Sequence, residues 1–388
     1  MTVNTPFYYY DMELLENTLQ ALKSAIPSPN FKVHYAIKAN AEDGILKAIH
    51  KHGLGADCVS GNEIQKALEV GFDASEIVLA GIGKSDAELE LAISRGIHSI
   101  NCESIEELEV INEIAERNNK VAHISFRINP NVDAKTHHKI TTGLSENKFG
   151  IPISEVDRAI NEIRKMNSLE LKGIHFHIGS QILSMDPFLK LCQQANDLMD
   201  DMEAAGIELE HINVGGGLGI DYHNPEENPI PDFETYFGIF QQNLNVREGQ
   251  TVHFELGRSV VGQCGSLMTK VLYIKRGATK NFAIVDAGMT DLIRPALYDS
   301  YHEIENASSV ESDTESYSVV GPICESSDVF GDLEMPLSKR GDYLKIKSAG
   351  AYGQVLSSNY NLRDRAQTIY SNVIELDTII KPKELEMA

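Results

Sequence analysis

Several features that define other classes of protein are missing from this sequence of 388 residues. It has no tryptophan and only five cysteines, and no two of the cysteines have Cys-x-x-Cys spacing. Such cysteine usage argues against a disulfide framework and against a zinc cluster. No apolar run approaches the roughly 20 residues that a membrane-spanning helix needs, and the first residues lack the basic and apolar regions of a signal peptide. We therefore expect a cytoplasmic protein with reduced thiols.

Basic residues are also scarce. The chain has 34 lysines and arginines against 57 aspartates and glutamates, a formal net charge of −23. Nucleic acids and anionic membranes bind proteins largely through lysine and arginine, so we predict neither as a partner. A bound phosphate or carboxylate must then be held by a local cluster of donors against the field of the whole protein.

The composition, 42% hydrophobic and 23% charged, is that of a globular chain long enough for two domains. Short β-like runs alternate with segments of helical apolar spacing, such as Ile105, Leu108, Ile111 and Ile114. Eight repeats of this kind over about 230 residues favour a closed (β/α)8 barrel of the TIM type. The predicted strands are 31–37, 53–59, 76–81, 97–102, 121–128, 171–178, 210–214 and 251–256.

A different pattern begins near residue 266, where strand-like stretches follow one another closely. We predict a barrel over 25–265 and a C-terminal β domain over 266–388, with residues 1–24 packed on the β domain. The predicted strands of that domain are 267–274, 281–286, 316–320 and 343–348. The acidic, serine-rich stretch 303–316 is predicted to be a surface loop, and the tail 381–388 to be loosely held.

Lys38 ends an apolar run in which Phe31, Val33, Tyr35 and Ile37 alternate as in a β-strand. A lysine in such a place either pairs with an anion or acts as a nucleophilic amine. Taken alone, the ion pair is the more frequent role. The residues further along the chain decide between the two.

Polar residues recur where the predicted barrel strands end, which is where catalytic groups lie in such barrels. They are Lys38, Asp57, Arg127, His175 and His177 followed by Ser180, then Gly215, Gly216 and Gly217, and finally Glu255 followed by Gly257 and Arg258. The glycine run suits a phosphate nest, and a guanidinium at Arg258 strengthens that interpretation. A carboxylate such as Glu255 can keep a ring nitrogen protonated.

The two histidines allow two interpretations. His175 and His177 would suit zinc, but no third ligand of suitable spacing is present, so we predict no metal site. An imidazole can instead stack on a flat cofactor ring while the other histidine is a hydrogen-bonded core residue. An amine, a phosphate nest, a carboxylate for a ring nitrogen and a stacking imidazole together match the needs of pyridoxal 5'-phosphate.

These residues carry a family resemblance over nearly the whole chain. The sequence resembles the barrel-type pyridoxal phosphate decarboxylases of the alanine racemase-like fold, and among them the diaminopimelate decarboxylases. The motifs are YAIKAN (35–40), HFHIGSQ (175–181), GGG (215–217), ELGR (255–258), DLIRPALY (291–298), CESSD (324–328) and AGAYG (349–353). Two positions depart from the family pattern: Leu256 stands where proline is usual, and Ser327 where glycine is common.

The resemblance implies a role for each matched residue. Lys38 would form the Schiff base with the cofactor, His177 would stack on its ring, and Glu255 would bind the ring nitrogen. Cys324 would be the proton donor. The remaining implied contacts are Ser180, Gly217, Gly257 and Arg258 to the cofactor phosphate, and Arg258, Arg294, Tyr298, Glu325 and Tyr352 to the substrate, with Tyr352 also near the cofactor. From their places at the strand ends and in the glycine run, we also predict Asp57, Arg127, Gly215 and Gly216 around the cofactor.

The resemblance further implies the reaction and the assembly. We expect decarboxylation of meso-2,6-diaminopimelate to L-lysine and CO₂, the last step of lysine biosynthesis, in a homodimer with Cys324 and Glu325 at shared sites. Arg294 suits the distal carboxylate of diaminopimelate and Glu325 its distal ammonium, whereas ornithine and arginine have only a distal cation. The alternatives are a decarboxylase for ornithine or arginine, a racemase of the same fold, and a non-catalytic regulatory homologue.

Overall fold

The computed structural model describes residues 3–130 and 148–380. The predicted tail over 381–388 lies outside the described residues. The strands are β1 (Phe7–Tyr10), β2 (Phe31–Ala36), β3 (Gly55–Cys58), β4 (Ile77–Leu79), β5 (Ser99–Cys102), β6 (Ala122–Asn129), β7 (Ile151–Pro152), β8 (Leu169–His175), β9 (His211–Asn213), β10 (Thr251–Leu256), β11 (Gly265–Arg276), β12 (Asn281–Val285), β13 (Ile304–Asn306), β14 (Thr314–Val320), β15 (Val329–Pro336), β16 (Tyr343–Ile346) and β17 (Gln367–Tyr370).

The helices are α1 (Met12–Ala25), α2 (Asp43–Lys51), α3 (Gly61–Val70), α4 (Asp86–Arg95), α5 (Ile105–Arg117), α6 (Val156–Ile163), α7 (Asp186–Ala204), α8 (Phe233–Asn243), α9 (Arg258–Val261), α10 (Arg294–Tyr298) and α11 (Leu376–Ile380). In α5, Ser104 caps the first turn by accepting a hydrogen bond from the amide of Glu107, at 3.2 Å. Its predicted apolar face, which includes Leu108 and Ile111, is buried.

A closed parallel barrel is the first architectural feature. Eight strands pair in the order β2, β3, β4, β5, β6, β8, β9 and β10, and β10 pairs again with β2. In β2, Phe31 packs on Phe237 of α8 and Phe254 of β10, so this apolar side of the strand faces the helices. The predicted (β/α)8 barrel is confirmed.

Histidines occupy the barrel toward the beginning of its strands. The rings of His34, His98 and His211 each lie 4.8 to 4.9 Å from the ring of His253, centroid to centroid. His34 Nδ1 donates to the carbonyl of Glu76 at 3.0 Å, so its Nε2 accepts from His253 Nδ1 at 2.8 Å. These imidazoles form a stack of rings whose pKa values burial lowers, and within it His34 and His253 are hydrogen-bonded to each other.

A separate mixed sheet is the second feature, and the predicted C-terminal β domain is confirmed. Its strands follow the order β13, β16, β11, β12, β14 and β15, and β1 pairs with both β11 and β17. The strands β1, β13, β15 and β17 were not predicted.

The prediction of a loop over 303–316 was wrong at both ends, where β13 and the start of β14 lie. Ile304 is buried and pairs with Ile346, and Glu305 pairs with Lys345 in the same register. Glu303 and Glu305, two of the acidic residues that suggested a solvated loop, instead pair with Lys347, just after the neighbouring strand.

Contacts divide the chain into two compact units. One contains residues 1–18, 220–231 and 258–388, and the other contains residues 19–219 and 232–257. The units differ from the predicted division in assigning 220–231 and 258–265 to the unit of the mixed sheet and 19–24 to the other unit. The domain boundary at 265/266 stays a prediction. None of the helices in the described ranges has the length and apolar character required to cross a membrane.

Candidate active site

Lys38 follows the end of β2 and is held by a short turn. The strand ends at Ala36, and Lys38 is the middle residue of a 3-10 turn, Ile37–Ala39, whose other two residues are buried. The predicted strand, 31–37, is therefore one residue longer than β2, and Lys38 follows its end as expected. The lysine side chain is 31% exposed, and its Nζ donates to Asp57 Oδ2 at 2.8 Å. The amine is fixed by a carboxylate but open on one side.

Asp57, on β3, is completely buried. Burial and the nearby carboxylate of Glu255 raise the pKa of Asp57 to about 7, although Lys38 opposes both effects. The second oxygen, Oδ1, has no hydrogen-bond partner among the described residues. A buried acceptor of this kind is unusual and suits a site that receives a ligand.

Glu255, on β10, accepts three hydrogen bonds. Asn213 Nδ2 donates to Oε1 at 2.8 Å, Asn101 Nδ2 donates to Oε1 at 3.3 Å, and His175 Nε2 donates to Oε2 at 3.1 Å. Burial by itself raises the pKa of Glu255, but His175, Lys38 and other neighbours outweigh burial and hold the pKa below its usual value. Glu255 is therefore an ionised carboxylate in a buried site. His175 Nδ1 is buried without a partner in the described part of the chain.

His177 lies beyond the end of β8, although the predicted strand, 171–178, included it. Burial, followed by the charges of Lys38 and Arg127, lowers the pKa of His177 to about 3. Its Nδ1 accepts from the amide of Gly216 at 3.4 Å. The imidazole is thus neutral and fixed in orientation.

One cavity of about 440 Å³, a volume typical of small-ligand sites, is lined by Lys38, His175, His177 and Glu255. Its walls include Lys38, Arg127, His175, His177, Glu255, Phe149 and the loop of Gly81, Ile82, Gly83 and Lys84. Five residues that the sequence predicted for the site therefore lie together. Within the described ranges, no group of three or more His, Cys, Asp or Glu side chains has an arrangement that suits a metal ion.

The glycine run after β9 requires glycine because it passes close to backbone. Gly215 has a φ of +70° and Gly217 a φ of +110°. A Cβ on Gly216 would collide with the carbonyl oxygen of Glu255. The amides of Gly215 and Gly216 already donate to Asn213 Oδ1 and His177 Nδ1. A phosphate contact from this turn therefore depends mainly on Gly217.

Glu103 is a residue of this region that the sequence did not predict. Its Oε1 accepts from Arg127 NH1 at 2.6 Å, and its Oε2 accepts from the amide of Gly150 at 2.9 Å. Arg127 also lies over the ring of Phe149, with Cζ 4.7 Å from the centroid. Glu103 holds Arg127 and the chain around Phe149 in place, and nothing in its local sequence signals this.

The other unit contains a second cluster of predicted residues. Arg258, the first residue of α9, is buried and its Cζ lies 5.0 Å from the ring centroid of Tyr352. Arg294, the first residue of α10, is also buried; its Cζ lies 5.8 Å from the ring centroid of Tyr298. Arg258 NH1 donates to the hydroxyl of Tyr222 at 2.6 Å. Tyr222 was missed because it follows the glycine run without a motif of its own.

Cys324 and Glu325 are both exposed. Tyr360 donates its hydroxyl hydrogen to Glu325 Oε1 at 2.8 Å. The loop is shaped by Asp328, which accepts from the amide of Ile323 at 2.7 Å. The described residues with positive φ do not include Ser327, so the turn does not require glycine at that position.

The other departure, Leu256, is the buried last residue of β10 and pairs in register with Tyr35. A leucine therefore fits the end of this strand. Gly257 follows it directly, and Ser180 lies five residues after the end of β8.

Comparisons with known proteins show several relatives of this chain. Residues 12–262 match the model of the pyridoxal-dependent decarboxylase family, pyridoxal binding domain. The chain is 55% identical over 365 residues to diaminopimelate decarboxylase of Bacteroides thetaiotaomicron, covering 94% of each chain. It is 42% identical over 382 residues to that of Neisseria meningitidis serogroup B, covering 98% of this chain and 91% of the relative.

A solved structure is similar over nearly the whole fold. Helicobacter pylori diaminopimelate decarboxylase in complex with L-lysine has a TM-score of 0.90 at 40% identity, covering 95% of this chain and 92% of that one. The barrel, its lysine and its glycine run define a pyridoxal phosphate-dependent class of protein. Within that class, the chain belongs to the diaminopimelate decarboxylase family.

The cofactor of this family is pyridoxal 5'-phosphate, and the cavity fits it. It offers an amine at Lys38, an ionised carboxylate at Glu255 and a neutral imidazole at His177. The unpartnered Oδ1 of Asp57 and Nδ1 of His175 are the kind of buried polar atoms that a polar cofactor satisfies.

Proposed function

We propose that the chain decarboxylates meso-2,6-diaminopimelate to L-lysine and CO₂, the last step of lysine biosynthesis. The observation that carries the proposal is the cavity in which the amine of Lys38 and the carboxylate of Glu255 lie together. The 55% identity to a diaminopimelate decarboxylase supports this substrate.

Three residues of the barrel have roles toward the cofactor in this proposal. Bound pyridoxal phosphate supplies an electron sink for the charge left when CO₂ departs. Lys38 anchors the cofactor through its amine, and Glu255 holds a proton on the ring nitrogen. A neutral His177 stacks on the ring without adding a positive charge to it. The low pKa of His177 and the lowered pKa of Glu255 support these protonation states.

Arg294 is the proposed ligand of the distal carboxylate of the substrate. It is buried, and it pairs with no carboxylate among the described residues. A buried cation without an anion is costly, which favours an anionic group on the ligand. Glu325 is the proposed partner of the distal ammonium. Ornithine and arginine lack the distal carboxylate, so this arrangement favours diaminopimelate.

Cys324 is the proposed donor of the proton to the α-carbon. A thiol can donate its proton to a carbanion. The exposure of Cys324 and Glu325 supports a homodimer in which they complete the site of a partner copy. We place the enzyme in the cytoplasm, and its five free cysteines are in keeping with a reducing compartment.

The direct test offers meso-diaminopimelate, ornithine and arginine separately to the purified protein with pyridoxal phosphate, with CO₂ and amine products measured. Release of L-lysine from diaminopimelate alone is the expected result. Turnover of ornithine or arginine instead would contradict the proposed substrate. No product from any of them, with the cofactor absorbance band present, would favour a non-catalytic homologue.

A further inference from the structure

Tyr222 contacts both buried arginines of the mixed-sheet unit. Its side chain is 8% exposed. The Cζ of Arg258 lies 5.9 Å and the Cζ of Arg294 lies 5.6 Å from the centroid of its ring. Arg258 NH1 also donates a hydrogen bond of 2.6 Å to its hydroxyl oxygen. One aromatic side chain therefore connects two cations that come from different helices.

Two buried guanidiniums this close to one ring repel each other. Burial lowers the pKa of Arg294, Tyr222 opposes that effect, and the like charge of Arg258 adds to it. A ring face attracts a cation, and a hydroxyl acceptor fixes the direction of a guanidinium. Tyr222 thus reduces the cost of holding both charges in fixed positions.

The backbone around Tyr222 is held firmly. The side chain of Asp221 accepts hydrogen bonds from the amides of His223 and Asn224, at 2.8 and 3.0 Å. Gln263 Nε2 donates to the carbonyl of Asp221 at 3.2 Å. These bonds fix the turn on which Tyr222 is mounted, so the ring cannot easily follow a displaced arginine.

The ring itself is supported by His302. The two rings meet edge to face, with centroids 5.2 Å apart and an interplanar angle of 81°. His302 Nδ1 donates to the carbonyl of Lys347 at 2.9 Å. The amine of Lys347 pairs with Glu303 at 3.1 Å and also with Glu226, which lies on the same chain segment as Tyr222. Tyr222 is therefore fixed at its backbone and at its ring.

The hydroxyl hydrogen of Tyr222 is also informative. A guanidinium only donates hydrogen bonds, so the phenolic oxygen must accept from Arg258. Its own hydrogen is then free to be donated to a different group, since a guanidinium accepts no hydrogen bond. An anion bound by Arg258 would provide such an acceptor.

We propose that Tyr222 is a positioning residue that directs Arg258 and Arg294 to two separate anions, the phosphate of the cofactor and the distal carboxylate of the substrate. The assignment of these two anions rests on the proposed function. Without the tyrosine hydroxyl, Arg258 loses one of the contacts that set its direction, and the separation of the two cations is less well defined.

The test compares Tyr222→Phe, which keeps the ring, with Tyr222→Leu, which removes it. The matched control is Tyr301→Phe, because Tyr301 is half exposed and stacks on His223 of the same turn. The measurements are the dissociation constant of pyridoxal phosphate, and the inhibition constants of L-lysine and of cadaverine, which lacks the carboxylate. The temperature midpoint of unfolding is recorded for each variant.

For Tyr222→Phe we expect the dissociation constant of the cofactor and the inhibition constant of L-lysine to rise about tenfold, the loss typical of one hydrogen bond to a charged group. The constant for cadaverine should change less than about twofold, and Tyr301→Phe should resemble the wild type. Tyr222→Leu should raise both of the affected constants further.

Two results would overturn the proposal. One is an unchanged affinity for both the cofactor and L-lysine in Tyr222→Phe. The other is an equal loss for L-lysine and cadaverine together with a lower unfolding midpoint, which indicates a structural role only. If the wild type does not act on diaminopimelate, the proposed function fails, yet the cofactor dissociation constants still test the position of Arg258.

Discussion

The amine of Lys38 lies 2.8 Å from Asp57 Oδ2, with Lys38 one-third exposed and Asp57 fully buried. The carboxylate of Asp57 holds the amine from one side, and the other side of the amine is open to the cavity. Burial and Glu255 raise the pKa of Asp57 to about 7, so the aspartate is not simply a permanent counter-charge. The pair holds the amine in place while it remains accessible to the cofactor.

Lys38→Arg separates the ion pair with Asp57 from the reaction of the lysine amine with the cofactor. An arginine keeps the positive charge beside Asp57 but is not a nucleophilic amine. We expect CO₂ release from diaminopimelate to fall by a factor of about 10³ or more, with the unfolding midpoint unchanged within a few degrees. The measurement is single-turnover CO₂ release together with thermal unfolding. Lys32→Arg, an exposed substitution on the same strand, is the matched control, and equal activity in both variants would contradict the role of Lys38.

Glu255→Gln tests the carboxylate at the ring nitrogen. Glu255 accepts from Asn213, Asn101 and His175, but a glutamine has only one oxygen and brings two hydrogens of its own. We expect kcat to fall about 100-fold, because a neutral amide cannot hold a proton on the ring nitrogen, and stability to fall by about 1–3 kcal/mol.

The measurement for Glu255→Gln is steady-state kinetics with a denaturant titration. Glu170→Gln, which replaces an exposed glutamate, should behave as the wild type. Full activity in Glu255→Gln would mean that another residue holds the proton on the ring nitrogen.

Arg294→Ala addresses the choice of substrate. The guanidinium is buried without a carboxylate partner in the described residues. Its removal therefore takes away a proposed substrate ligand without leaving a carboxylate of the protein unpaired. We expect kcat/KM for diaminopimelate to fall about 100-fold while the cofactor absorbance stays intact. Arg276→Ala removes an exposed arginine of the same unit and is the control. Unchanged diaminopimelate turnover in Arg294→Ala would refute its assignment.

The barrel could be read from the sequence because its strands are short apolar runs separated by amphipathic helices. Each predicted barrel strand overlaps an observed strand, and the face of α5 is buried as its spacing indicated. Lys38, Asp57 and Glu255 could be placed at one edge because parallel strands present their carboxyl ends together.

Other features depend on contacts between distant parts of the chain. The pairing of Phe7 with Gln367 in β1 and β17 has no local signal. Glu103 and Arg127 are separated by 24 residues and give no periodic pattern. Tyr222 also could not be predicted, because its importance comes from two arginines on different helices. Such contacts are determined by tertiary packing and not by the residues on either side.

A shared site can be tested by mixing two inactive variants. Lys38→Ala and Cys324→Ala each lack one proposed reacting group, but a heterodimer would have one site with an intact lysine and an intact cysteine. Random mixing should therefore restore about a quarter of the wild-type activity if sites are shared across a twofold interface. The measurement is activity after unfolding and refolding the mixture, with each variant refolded alone as the control. No recovery in a verified heterodimer would count against shared sites.

The histidine stack in the barrel should make stability depend on pH. Burial, with smaller effects of neighbouring charges, lowers the pKa of His34 to about 4 and that of His211 to about 3, from an ordinary value of 6.5. Below pH 6.5 the unfolded chain therefore binds protons that the folded chain does not. Each such histidine should cost about 1.4 kcal/mol of stability at pH 5.5 relative to pH 7.5.

His211→Gln isolates one member of the stack. Glutamine does not titrate in this range, and it can keep a hydrogen bond to the hydroxyl of Ser125, which lies 2.8 Å from His211 Nε2. The free energy of unfolding should fall by about 1.4 kcal/mol less in His211→Gln than in the wild type when the pH is lowered from 7.5 to 5.5. Urea titrations at the two pH values measure this difference, and comparison between variants cancels the opposite contribution of Asp57. A pH dependence in His211→Gln equal to that of the wild type would mean that His211 is not kept neutral by the fold.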